Sequence, residues 1–348
     1  MRRVFDAQLL GPLGAMLLVA LVVSFTTDRF LDPGNLSNLA LQVSIVSLIA
    51  IGATIVIFAG GIDLSSGSMV ALLTMILATA VKTYGVPLWP ALIGVLVFGA
   101  LLGALNGVLA AFLRIPSFIV TLAGLIAFRG LALMFNNGSP IFSLDPGLEP
   151  VFYGKIFGIP LPFFYLVALY GAATVMMNNT RLGRELYAVG GNPAAAKLSG
   201  IHVQRVQTYA FIIAGLMTAV GSILMAARLN SGSPNYGQTF ELQAIAAAVV
   251  GGASLAGGRG NVLSTLVGAL MIVIVQNALN LHAVPSAFQN VILGLIILVA
   301  VGVDMWRGEI TRAVRRLSGR AGTSTAPAGS RAPKAATKPA SGKSVGGA

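Results

Sequence analysis

The chain has 348 residues, 56% of them hydrophobic and 9% charged, with a mean hydropathy of +0.87. Soluble domains carry roughly 25% charged residues, so a water-soluble globular protein is excluded and an integral membrane protein is indicated. There is no cysteine, which removes disulfides, thiolate metal sites and thiol nucleophiles, and the net charge of +12 is laid out along the chain as a topology bias rather than as a nucleic-acid face.

Ten apolar spans are predicted, at roughly 8–25, 38–59, 67–81, 89–113, 118–135, 160–177, 207–227, 241–257, 262–280 and 288–304. In hydrocarbon every backbone group must be paired within its own segment, so helices are expected throughout and the chain reads as all-α. The first span follows Arg2 and Arg3 and lacks a small-residue cleavage site, so it is expected to be retained. After the second span comes a glycine-rich break, Gly60 to Gly67. Asp63, Ser65 and Ser66 stand there directly before an apolar run, as helix N-caps do. A carboxylate so close to hydrocarbon is costly, which makes a polar hinge beside a pathway the second and compatible meaning. In the fourth span Gly99, Gly103 and Gly107 line up a groove suited to close helix packing, with Asn106 beside it.

Arg114 to Phe118 is a tight connection broken at Pro116, with Ser117 beyond it; it reads either as a plain hairpin or as a gate. Arg129 falls inside the fifth span, where it must snorkel or bond a carbonyl. Between the sixth and seventh spans lies a polar, basic island, Arg181 to Ile201. Asn192 can cap a helix, Pro193 suits its first turn, Ala194, Ala195 and Ala196 propagate it, and Gly200 can end it. A short exposed helix between two spans is not explained by packing. It looks like a handle for another protein.

Glu241 opens the eighth span after the polar loop from Arg228 to Gly237. A carboxylate suits the positive end of a helix there, and contact with an outside partner is the alternative. A second glycine-rich break, Gly251 to Gly260, follows. Such interruptions in two halves of a transporter often mark the permeation region. Gln276, Asn277 and Asn280 place amides in the ninth span, as helix glue or as a sugar path. From about residue 311 the chain turns to Ala, Pro, Ser, Gly and Lys, and a disordered, solvated basic tail that also fixes topology is expected over 311–348, with contact to anionic lipid as the alternative, after a membrane domain over 1–310.

With ten spans both termini face one side. Placing them in the cytoplasm puts seventeen basic residues inside and four outside, which fixes the orientation. Some absences narrow the chemistry. The two histidines, His202 and His282, have no metal-type spacing. The tail sequence Gly342-Lys343-Ser344 has Thr337 where a P-loop needs its first glycine, so no nucleotide site is expected on this chain. No ladder of acids runs through the spans, as a proton-driven carrier would need.

Four stretches carry a resemblance: GGIDLSSGSMVAL (60–72), IPSFIVTLAGL (115–125), GRELYAVGGNPAAAKLSGI (183–201) and ELQAIAAAVVGGASLAGGRG (241–260). In order and over about residues 1–306, the chain resembles the ribose, xylose and galactose class of ATP-binding-cassette importer permeases. The resemblance implies a ten-helix permease fold similar to that of the vitamin B12 importer, in the bacterial inner membrane, with two permease subunits around a central path. It implies a coupling helix docking on a cytoplasmic ATPase. On this chain that is Asn192, Pro193, Ala194, Ala195, Ala196, Lys197, Ser199 and Gly200, flanked by Arg184, Glu185 and Tyr187. It implies an inner gate at Arg114, Pro116, Ser117 and Phe118, and a periplasmic sugar-binding protein on the outside. No catalytic residue and no cofactor on this chain are implied, since ATP and magnesium act in the partner ATPase. Pathway candidates are Asp63, Ser65, Ser66, Asn106, Asn277 and Asn280, and Glu241 is the candidate for contact with the binding protein. One departure is Gln243, where many relatives carry aspartate. The rival reading is a sugar carrier driven by an ion gradient.

Overall fold

The computed structural model describes residues 2–319. Its contacts divide into a unit Met1–Asp304 and a second unit from Met305. The second consists, among the described residues, of the end of the last helix. That helix runs to Gly319, so the boundary drawn at residue 310 falls within it. The remainder of the tail, with the Gly342-Lys343-Ser344 sequence, lies outside the described residues.

Thirteen α-helices are described: α1 (Arg2–Thr26), α2 (Pro33–Phe58), α3 (Ser66–Lys82), α4 (Leu88–Ala111), α5 (Ser117–Met134), α6 (Glu149–Tyr153), α7 (Leu161–Asn179), α8 (Arg181–Gly191), α9 (Pro193–Leu198), α10 (Val203–Leu229), α11 (Phe240–Val250), α12 (Val262–Leu281) and α13 (Ser286–Gly319). Seven of them are long and apolar enough to cross a membrane. The three shorter apolar helices, Ser66–Lys82, Phe240–Val250 and Ser286–Gly302, fall where the other three spans were expected. The chain is a multi-pass membrane protein.

Helix α2 begins five residues before the expected start. The Asp32 carboxylate accepts from the Gly34 and Asn35 amides, and Pro33 takes the first helical position, so cap and proline set the start together. From Val43 to Phe58 every residue of α2 is buried. A helix apolar all round belongs at the centre of a bundle, and α2 packs against α7, α10, α11 and α12. Helices α4 and α10 form the most extensive helix pair. The predicted groove explains it: a side chain added at Gly99, Gly103 or Gly107 would run into the backbone of α10 near Gly215, Phe211 and Thr208. The glycines of α4 are packing residues. The opposite faces of α4 and α5 are apolar and exposed, at Leu101, Leu105, Leu122 and Ile126 among others.

The expected eighth span is the main difference. Its helix, α11, has 11 residues and stops at Val250. At 1.5 Å per residue it rises about 16 Å, near half of a hydrocarbon core. The glycine-rich run ends it, with Gly252 at φ +94°. The chain before α11 supplies the missing depth. Ser231–Gly232 (β4) pairs antiparallel with Ile141–Phe142 (β1). Gly232 then lies against Thr74 and Ala78, and Gly237 against Gly67 and Val70. The segment thus descends α3 from its end towards its start, and α11 begins beside the first turn of α3. Lys155–Ile156 (β2) and Ile159–Pro160 (β3) complete a small cap with α6 at the far end.

The contact of α4 with α10 generates a paired test. Gly103→Leu should destabilise the protein by about 1–3 kcal/mol or prevent folding, whereas Gly94→Leu, where an added Cβ meets nothing on the exposed face, should be silent. Thermal unfolding of the purified protein in detergent distinguishes them.

Candidate functional site

The candidate lever is α9 (Pro193–Leu198). The Asn192 side-chain oxygen accepts from the Ala195 amide at 3.0 Å, as an N-cap does, with Pro193 in the first turn. At the other end Gly200 is left-handed at φ +81°. The Ile201 amide bonds the Ala196 carbonyl and the Gly200 amide bonds that of Lys197. This is a Schellman closure. A six-residue helix fixed at both ends moves as one piece. Pro193, Ala194, Ala195, Lys197 and Ser199 are exposed, Ala196 is buried, and Leu198 is 90% exposed. Leu198 went unremarked in the sequence. A single apolar residue gives no periodic signal, and only the fold shows that it projects.

Helix α8 joins the lever to the bundle. Gly190 sits directly against the Phe58 carbonyl and the Gly258 amide, and an added side chain would collide with both. The Gly258 amide in turn donates to the Phe58 carbonyl at 3.1 Å. Tyr187 donates its hydroxyl to the Gly260 carbonyl at 3.0 Å, and its ring lies 5.0 Å from that of Phe58. Burial pushes the Tyr187 phenol up to about 12, so it stays a donor. Tyr187 therefore ties α8 to the second glycine-rich break and to the end of α2. Arg184 is exposed, and Glu185 pairs with Arg181 at 2.6 Å on the outer side of α8. The end of α2 and the second glycine-rich break thus converge on one glycine of α8, with Gly60 next to it.

The Arg114–Phe118 connection meets the same region. Arg114 is left-handed at φ +57° and Pro116 caps α5. The Ile62 amide donates to the Ser117 hydroxyl at 3.1 Å, and the Thr121 hydroxyl donates to the Ile62 carbonyl at 3.2 Å. The connection is pinned to the first break, with Phe118 left exposed. A cavity of about 400 Å³ is lined by Gly60, Gly61, Arg114, Pro116, Ser117 and Pro193, among others. It gathers residues of α9, of the first glycine-rich break and of the Arg114–Phe118 connection around one space.

Deeper in, Asp63 is buried and accepts from the Ser65 amide at 2.8 Å and the Ser65 hydroxyl at 2.6 Å. Asn106 donates to the Ser65 hydroxyl at 2.9 Å. Ser65 occupies the N-cap position of α3 without a side-chain capping bond. Its hydroxyl serves Asp63, and the Ser66 hydroxyl is buried without a partner among the described residues. Glu241, at the start of α11, lies against Gly67. The two short helices therefore point their positive ends at one buried polar cluster holding two carboxylates. Arg129 donates to the Pro234 carbonyl and, at 2.8 Å, to that of Tyr236, so its expected carbonyl partners are those of the descending segment.

Two sequence assignments do not join this site, and Glu241 joins it from inside the bundle. Glu241 is 9% exposed and enclosed by the start of α3, so it is not presented to an outside protein. Asn277 exchanges amide hydrogen bonds with Asn35 at 2.8 and 3.0 Å, at the far ends of α2 and α12. Asn280 accepts from Gln289 at 2.9 Å. Both amides hold helices together away from Asp63.

Residues 35–301 match the family model described as the branched-chain amino acid transport system permease component. The ribose import permease protein of Haemophilus influenzae is 38% identical over 84% of this chain and 92% of its own length. The ribose import permease protein of Bacillus subtilis is 41% identical over 85% and 92%. The xylose transport system permease protein of Escherichia coli K12 is 34% identical over 86% and 92%. No solved structure matches the chain. As a permease component, the chain is part of a transporter and not an enzyme.

The clamp on the descending segment is testable. Arg129→Ala removes two charge-assisted bonds and should cost about 2–4 kcal/mol, read as a lowered Tm in detergent. Arg129→Lys should recover part of the loss.

Proposed function

We propose that this chain, which belongs to the ATP-binding-cassette importer permease family of the ribose and xylose transporters, carries a monosaccharide into the bacterial cytoplasm. A separate cytoplasmic ATPase, using ATP and magnesium, drives it. A periplasmic sugar-binding protein feeds it, and a second copy of the chain pairs with it around the path. The ten apolar helices would then be of the vitamin B12 importer type, with both termini in the cytoplasm, as the basic residues favour.

The single observation that carries this reading is the doubly capped, exposed helix α9, joined through Gly190 to both glycine-rich breaks. The ATPase would hold α9 differently in its open and closed states. Only such a difference in binding moves an equilibrium. Displacement of α9 and α8 presses on the end of α2, on the Gly60 break and on the run that follows α11. The Arg114–Phe118 connection follows, because Ser117 and Thr121 hold it to Ile62. The sugar crosses without bond-breaking chemistry. Its similarity to ribose and xylose permeases supports a pentose first.

Reconstitution with an ATPase and a binding protein tests the reading. Ala195→Glu, on the exposed face, and Leu198→Asp should each abolish ATP-driven uptake while leaving insertion and Tm unchanged. Ala196 is unsuitable because it is buried. Uptake that persists without ATP and collapses with an uncoupler would move the protein to the ion-gradient class. The chain has no cysteine, so Lys197→Cys gives one label site. It should react with an impermeant maleimide only in inverted vesicles.

A further inference from the structure

The cavity between lever, hinge and gate contains polar groups that the transport reading does not use. Gln204 and Gln207 both line it. They stand three residues apart in the first turns of α10, on one helix face. Both are half-buried, and neither side-chain amide hydrogen-bonds to another described residue. Each amide offers donors and an acceptor. Ser117 and Arg114 line the same space, and no carboxylate is among its lining residues. Val56 and Phe211 supply an apolar wall. A volume of about 400 Å³ lies within the range of small-molecule sites, which combine apolar walls with a few convergent polar groups. Such a lining suits a small polyhydroxylated molecule and rejects a cation.

We infer that this cavity is a monosaccharide site on the delivery side of the permease, through which accumulated sugar slows further import. The inference rests on the proposed orientation, in which the lever end faces the cytoplasm. The argument is geometric. Pro193 of the lever, Gly61 of the hinge and Arg114 of the gate connection bound one space from three directions. A ligand that fills it resists their approach. It therefore binds the arrangement seen here better than one in which the lever closes on the bundle, and that differential affinity opposes the stroke.

The test uses the full complex in proteoliposomes, with labelled D-ribose and binding protein trapped inside and ATP added outside. Only complexes with the ATPase outward respond, so the medium is the cytoplasmic side. Unlabelled D-ribose in the medium should slow ATP-driven release severalfold. The double variant Gln204→Leu/Gln207→Leu should keep the uninhibited rate and lose the inhibition, and Gln207→Asn should need several times more sugar. A release rate indifferent to external ribose, or a double variant inhibited like the parent, overturns the site. Inhibition by ribose 5-phosphate with none by ribose overturns the assignment to free sugar. Equilibrium binding of labelled ribose to the complex in nanodiscs, without binding protein, separates this from the transport reading. Binding that the double variant loses supports the site even if ATP drives no release, and no binding overturns it even if transport is normal.

Discussion

Backbone that leaves a helix inside a lipid-embedded bundle must find its hydrogen-bond partners in protein. That constraint organises this molecule. Three stretches break regular structure between apolar helices: residues 59–65, 230–239 and 251–261. None can face hydrocarbon unpaired. The first bonds to Ser117 and Thr121, the second to β1 and Arg129, and the third to the Phe58 carbonyl and the Tyr187 hydroxyl. Each break is thereby fastened to other elements of the bundle, and the first two share α5. The polar residues that look expensive in the sequence are the ones that satisfy them. Arg129 and Asn106 are interior, but each has an identified partner.

The same fastening gives the breaks mechanical meaning. Two of them touch α8 within a few residues of one another, at Gly190 and Tyr187. The first also touches the connection between α4 and α5. A displacement of α8 therefore reaches the Arg114–Phe118 connection through two contacts. The remaining break, at 230–239, is fastened at the far end and along α3, away from α9. It brings the start of α11 beside the start of α3, where Asp63, Ser65 and Glu241 are enclosed. Two short helices meeting end to end leave a joint inside the bundle, and such joints are where transporters place their moving parts.

Much of this was legible in the sequence because it is local. Asn192, Pro193 and Gly200 act as cap, first-turn residue and terminator, in accord with their chemistry. The Gly99–Gly103–Gly107 spacing is a packing groove, and Arg129 bonds carbonyls. The extent of α11 was not legible, because apolar composition continues through Gly251 to Ala256 and a hydropathy window cannot tell half a span from a whole one. The start of α2 was signalled by Asp32 and Pro33 but masked by the weaker hydropathy of the residues that follow. The partners of Tyr187 and Asn277 were not legible for another reason. Each is polar and sits near a motif, and only tertiary structure shows which way a helical residue faces.

The Gly190 junction decides how force can pass. A hydrogen bond in a protein contributes about 1 kcal/mol net, so the Gly258–Phe58 and Tyr187–Gly260 bonds yield under a pull of little more than that. Reversing a two-state population from one extreme to the other takes roughly 5.5 kcal/mol. Hydrogen bonds at this joint are too weak to carry that in tension. Backbone in van der Waals contact behaves differently under compression, because repulsion rises steeply and close-packed interiors transmit strain. Gly190 has no side chain between its own backbone and that of Phe58 and Gly258. The arrangement is suited to push. In the proposed cycle the effective stroke is therefore the one that drives α8 into the bundle. The return relies on the bundle relaxing outward, with the hydrogen bonds keeping the surfaces in register.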